Sequence, residues 1–140
     1  MLQWMLMPFR RYAEFSGRSG REEFWMFILF NHLLAMVYTA AFGIVFLLLF
    51  AVDLSETELV TACFVLFVPY MIYSFYVFLP ALAVTVRRLH DIDKSGWNIL
   101  WGVIPLVGAF FLLLWHATPG TRGPNRFGPD PLAGEAPAFA

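Results

Sequence analysis

The sequence predicts an all-α integral membrane protein: three long transmembrane helical segments preceded by a short N-terminal interfacial amphipathic helix. Hydrophobic residues make up 60% of the 140 and charged residues only 14%, against roughly a quarter charged in a typical soluble domain. Charge is confined to polar blocks that leave three runs without Asp, Glu, Lys or Arg: Phe24 to Val52 (29 residues), Leu59 to Val86 (28) and Trp97 to Trp115 (19). About 20 apolar residues cross ~30 Å of hydrocarbon at ~1.5 Å each. Backbone in lipid must satisfy its own hydrogen bonds, so such runs are helical. Together they make one membrane domain over residues 1–131, with spans at about 24–52, 59–86 and 97–115, and an Ala/Pro-rich, disordered tail over 132–140.

Before the first span, Leu2, Met5, Leu6, Phe9, Tyr12 and Ala13 recur at helical spacing with Gln3, Arg10 and Glu14 opposite. Pro8 interrupts a single long helix, so the expected helix starts near Pro8 after a looser beginning. Trp4 and Phe9 beside Arg10 and Arg11 suit the headgroup layer; the same stripe suits packing on neighbouring helices equally well. Ser19-Gly20-Arg21-Glu22 reads as a capping box, with Glu22 and Glu23 at the favoured end of the helix dipole. The first span is a retained anchor rather than a signal peptide: 23 residues precede it, and Leu-Leu-Leu-Phe at 47–50 offers no cleavage site.

Six residues, Asp53 to Glu58, join the first two spans into an antiparallel hairpin. Pro69 and Pro80 mark places for kinks in the second span, and Arg87, Arg88 and His90 fall in its last turn, where cations are favoured. Asp93 or Ser95 caps the third span, between interfacial anchors Trp97 and Trp115. Pro105 and Gly108 lie near its middle. A full crossing is the expectation, because lipid-exposed non-helical backbone is disfavoured. The alternative is a re-entrant hairpin turning at Pro105 and Gly108, which puts all nine cations on one face. Arg10, Arg11, Arg18 and Arg21 before span one, and Arg87, Arg88 and Lys94 after span two, place the N-terminus and that loop in the cytoplasm.

Three polar blocks stand out in order: Phe-Ser-Gly-Arg-Ser-Gly-Arg-Glu-Glu-Phe-Trp at 15–25, Val-Arg-Arg-Leu-His-Asp-Ile-Asp-Lys-Ser-Gly-Trp at 86–97, and Gly-Thr-Arg-Gly-Pro-Asn-Arg-Phe-Gly-Pro-Asp-Pro at 120–131. With them the chain, over about residues 8 to 131, resembles the bacterial family of domain of unknown function 805, the YhaH-like small inner-membrane proteins. The resemblance implies a multi-pass inner (plasma) membrane location and no known activity. It singles out Gly17, Arg18, Arg21, Glu23, Phe24 and Trp25; then Arg87, Arg88, Leu89, His90, Asp91, Ser95, Gly96 and Trp97; then Pro105 and Gly108; and in the tail Gly120, Asn125, Arg126, Phe127 and Gly128. Asp93 departs from the pattern, standing where a small or polar residue is expected.

Chemistry is sparse. A net charge of −1 leaves no cationic excess for nucleic acid. The single cysteine, Cys63, excludes an internal disulfide, and no Cys pair spaced for a metal is present. No cofactor, no metal and no catalytic constellation is legible. His90, Asp91 and Asp93 converge on an ion only if the helix has ended there, and read better as a helix boundary. His32 and Asn31, inside span one, read as groups that hydrogen-bond a neighbouring helix. The arginines carry two readings: ion pairs with Glu22, Glu23 and Asp91 that fix helix register, favoured by the near balance of seven cations and five acids across residues 1–23 and 87–96, or sites for anionic lipid headgroups. The expectation is a non-enzymatic protein partnered with the bilayer, with anionic lipid or with another membrane protein, and compatible with a homo-oligomer. The alternative is a small transporter or channel subunit acting as an oligomer; a membrane enzyme on a lipid-linked substrate comes third.

Overall fold

The computed structural model describes residues 1–52 and 54–133; Asp53 and all but the first two residues of the expected disordered tail lie outside the described residues. The order is α1 (Leu2–Arg10), α2 (Arg21–Phe50), α3 (Glu56–Asp91), a 3₁₀ helix (Gly96–Val103) and α4 (Val107–Ala117). α2 and α3 form an antiparallel pair of 30 and 36 residues, about 45 and 54 Å at helical rise, and both are long and apolar enough to cross a membrane. α3 continues through both Pro69 and Pro80.

Polarity is inverted relative to a water-soluble fold. Among the described residues, only Phe24, Phe27, Ala83, Val84 and Leu89 are buried hydrophobics, while Arg18, Ser19, Glu23, Arg87, Arg88, Asp91 and His116 are buried polar groups. Large apolar side chains such as Met36, Leu47, Phe75 and Phe78 face outward. Exposed apolar area of this extent marks a surface made for something other than water. Every buried residue of α2 and α3 lies at one end of the pair, from Glu23 to Phe27 and from Pro80 to Asp91.

Four sequence expectations change. α1 does not begin at Pro8; it spans Leu2–Arg10 with Pro8 inside and buried, and stops two residues after it. The lost N–H costs one internal bond, and Phe9 packs against Phe27 and Tyr76 at ring-centroid distances of 5.3 and 5.8 Å. Phe9 and Tyr12 of the α1 stripe pack on the neighbouring helices, while Leu2 and Leu6 stay exposed. Ser19 does not cap α2: Gly20 is the N-cap, with no side-chain bond, and the Ser19 backbone N–H that Glu22 would have met goes to the Arg87 carbonyl at 3.1 Å. The capping box sits instead at α3, where Ser55 and Glu58 bond reciprocally. α3 therefore begins inside the segment expected as a loop.

The fourth change concerns the third apolar run. It is not a continuous crossing helix but a hairpin. The 3₁₀ helix, capped by Ser95, ends at Val103, the chain turns through Ile104 to Leu106, and α4 runs back. Trp101 meets Phe111 and Trp115 edge-on at 5.5 and 5.8 Å, and the Lys94 ammonium lies 4.6 Å from the Trp115 ring. The two ends of the run thus lie side by side. Gly108 permits this closeness: a Cβ there would overlap the Trp101 carbonyl. Leu106, at the tip, takes φ +61 and is almost wholly exposed. Helical satisfaction of the backbone within each arm answers the objection to lipid-exposed non-helical backbone that favoured a full crossing.

Candidate functional site

The last turn of α3 carries Arg87 and Arg88, both wholly buried. Adjacent residues on a helix point about 100° apart, so the two guanidiniums serve different neighbours. Arg87 reaches Glu23 of α2 at 3.0 Å and donates to the carbonyls of Arg11 and Glu14. Arg88 bonds Asp91 one turn on at 2.6 Å and donates to the carbonyls of His116 and Thr118, where α4 ends. Arg18, from the loop before α2, approaches the other oxygen of Asp91 at 2.9 Å. It also donates to the carbonyls of Thr121 at 2.5 Å and Gly123 at 2.6 Å in the tail. Asp91 is therefore shared, one carboxylate oxygen per arginine, and its backbone carbonyl accepts from both N–H and hydroxyl of Thr121.

The physical logic is one of donors. Buried charge is tolerated only when paired and hydrogen-bonded. Three buried arginines face two buried acids, so one cation lacks a counter-charge, and carbonyl oxygens of irregular backbone supply the difference. Loop carbonyls near the interior need donors, and a guanidinium offers five donors and no acceptor. Gly120 makes the approach feasible, since a Cβ there would collide with the Asp91 carboxylate.

The second and third polar blocks meet through smaller contacts. The His90 ring Nδ1 lies 3.1 Å from the Gly17 carbonyl, which can only accept, so Nδ1 carries the proton. The ring stacks on Phe127 at 3.9 Å between centroids. Asn125 donates to the His90 carbonyl and to the Thr121 hydroxyl, each at 2.9 Å, and closes a tight turn with Gly128. Arg126 pairs with Asp93 at 3.1 Å on the exposed rim. Asp93 has φ +58 just past the end of α3. Asp130 accepts N–H bonds from Leu132 and Gly123, which hold its carboxyl below the ordinary aspartate range.

Of the residues singled out in the sequence, Gly17, Arg18, Glu23, Arg87, Arg88, His90, Asp91 and Asn125 come together, with Arg126 on the rim. Arg21 is exposed, Trp25 is half-buried against Phe24, and Ser95 and Trp97 belong to the start of the 3₁₀ helix. The tail motif, expected on the far side after a full crossing, instead joins Arg88 and Asp91 because the hairpin returns the chain. His90, Asp91 and Asp93 diverge to three different partners. Among the described residues, no three His, Cys, Asp or Glu side chains gather so as to hold a metal ion. Asn31 accepts from the Tyr73 hydroxyl of α3 at 2.7 Å, while His32 bonds only the Ile28 carbonyl of its own helix. Sequence reasoning missed Thr121 and the accepting carbonyls; backbone acceptors carry no residue signature.

A family model described as "Protein of unknown function (DUF805)" matches residues 12–129. The chain belongs to this family. DUF805 relatives include inner membrane protein YhaH of Escherichia coli K12, 37% identical over 130 residues, covering 93% of this chain and 97% of the relative. Inner membrane protein YhaI of the same organism is 38% identical over 134 residues, covering 95% and 98%. A more distant one, the uncharacterized protein YiiR, is 28% identical with 83% and 84% covered. No solved structure matches this DUF805 chain.

Proposed function

We propose that the chain is a multi-pass inner-membrane protein of non-enzymatic character, in which the buried arginine network locks α2, α3, the hairpin and the tail into one register at the cytoplasmic surface. The observation that carries the reading is the sharing of Asp91 between Arg18 and Arg88, which ties the first and second polar blocks at a single carboxylate, while Thr121 of the third bonds the backbone carbonyl of the same residue. The buried arginines are engaged with acids and carbonyls, and Glu23 and Asp91 with arginines, so neither of these two carboxylates is free to act as a nucleophile or general base. α2 and α3 cross, and the Trp97–Trp115 hairpin enters and leaves from the cytoplasmic side. All nine cations then lie on that side, as the positive-inside rule asks of an inner-membrane protein. The partners are the bilayer itself, anionic lipid, or another membrane protein docking on the locked face.

The side of each terminus tests this. Reporters active only in the cytoplasm or only outside it, fused before Met1 and after Leu132, should both report cytoplasm, and a reporter in the 52–58 connection should report outside. A tail reporting outside would defeat the lock, since Arg18 and Arg88 could not then reach Thr118 and Thr121. Turnover of any substrate lost in His90→Ala with folding intact would remove the non-enzymatic part.

A further inference from the structure

Arg21 and Arg122 are both exposed, and among the described residues neither takes an ion-pair partner. They face one cleft of 250 Å³ between the start of α2 and the returning tail, bounded also by Gly20, Asp91, Thr121 and Asp130. Of its two acids, Asp91 is balanced by ion pairs, while Asp130 keeps its charge and sets one negative against the two arginines. The Asp91 oxygens are held by Arg18 and Arg88, and the Asp130 oxygens by the backbone N–H groups of Gly123 and Leu132. Gly20 caps α2 without a side chain, so the first-turn N–H groups also lack a side-chain acceptor and add partial positive charge. The cleft is cationic and small.

A second hollow, of 380 Å³, shares Arg21, has Glu22 beside it at the same end, and continues along the flank of α2 past the apolar side chains of Trp25 and Met26 to Ala117 at the end of α4. A polar cleft joined at one arginine to an apolar groove has the shape of a headgroup with a chain, not of a free ion. We propose that this is a binding site for an anionic glycerophospholipid, its phosphate held by Arg21 and Arg122 and one acyl chain lying along Trp25, Met26 and Ala117. The inference rests on the lock described above, because the lock is what keeps Arg122 opposite Arg21.

The test is native mass spectrometry of the full chain in uncharged detergent, titrated with dioctanoyl phosphatidylglycerol, dioctanoyl phosphatidylcholine and inorganic phosphate, together with hydrogen exchange at the Gly123 and Asn125 amides. One phosphatidylglycerol should be retained about tenfold more tightly than phosphatidylcholine. The paired Arg21→Gln and Arg122→Gln variant should lose about tenfold in that binding while tail protection stays unchanged. Met26→Trp, which fills the groove, should weaken the lipid as well. Undiminished lipid retention in the Gln variant with a protected tail would overturn this site while leaving the lock standing; an unprotected tail in the unaltered protein would overturn the lock itself. Phosphate displacing the lipid at equal concentration would reassign the cleft to a soluble phosphate and overturn the lipid.

Discussion

A guanidinium buried among loop carbonyls is a donor set looking for acceptors, and that is how Arg18, Arg87 and Arg88 should be read. Their presence at a helix boundary was legible in the sequence; of the acids expected to pair with arginines, Glu23 and Asp91 do so, while Glu22 takes no ion-pair partner among the described residues. The assignment of Arg18 to the tail was not legible, because it depends on backbone oxygens that any residue supplies. Gly120 is the residue where the arrangement is most exposed to test. Alanine there would drive its Cβ into the Asp91 carboxylate and separate a buried pair, a loss of about 3 kcal/mol. Arg126→Ala breaks an exposed pair with Asp93 and should cost no more than about 1 kcal/mol. Thermal unfolding in a fixed detergent compares the two; equal midpoints would show that the approach of Gly120 to Asp91 contributes nothing.

At the scale of elements, α2 and α3 were legible to within a few residues because charge stops where lipid would begin. The ends were less so. Ser19-x-x-Glu22 has the spelling of a capping box, yet the Ser19 N–H is engaged by the Arg87 carbonyl and the box forms at Ser55 and Glu58 instead. The hairpin was visible in the sequence only as Pro105 and Gly108, since 19 apolar residues suffice either to cross or to return. What decides is the close crossing at Gly108. We expect Gly108→Ala to destabilise by about 1–3 kcal/mol, the cost of forcing extra volume into a filled contact. Gly43→Ala, in α2 with open space around its Cβ position, should instead be neutral or stabilise by up to about 1 kcal/mol. The same unfolding series reads both, and a Gly108→Ala protein as stable as the Gly43→Ala protein would mean the two arms do not touch there.

The whole molecule is held at one end. Outward-facing side chains along α2 and α3 are apolar, and the interior polar groups collect where α1, the loop before α2, the hairpin and the tail converge. Segments 73 residues apart in sequence, Arg18 and Asp91, meet there, and Arg18 also reaches Gly123, 105 residues along the chain from it. If that end is one cooperative unit, losses within it cannot add. Truncation after Pro119 removes three of the carbonyls that receive Arg18, those of Thr121, Gly123 and Gly128. Arg18→Gln removes the donor. Each change alone leaves unmatched buried groups behind, whereas both together remove donor and acceptors at once. A double-mutant cycle should therefore show the combined loss falling short of the sum by about 1–3 kcal/mol. The truncation and Gln variants, singly and together, would be unfolded by denaturant in one detergent. Simple additivity would mean that the tail lies on the network without being held by it, and that the three polar blocks are neighbours rather than parts of a single lock.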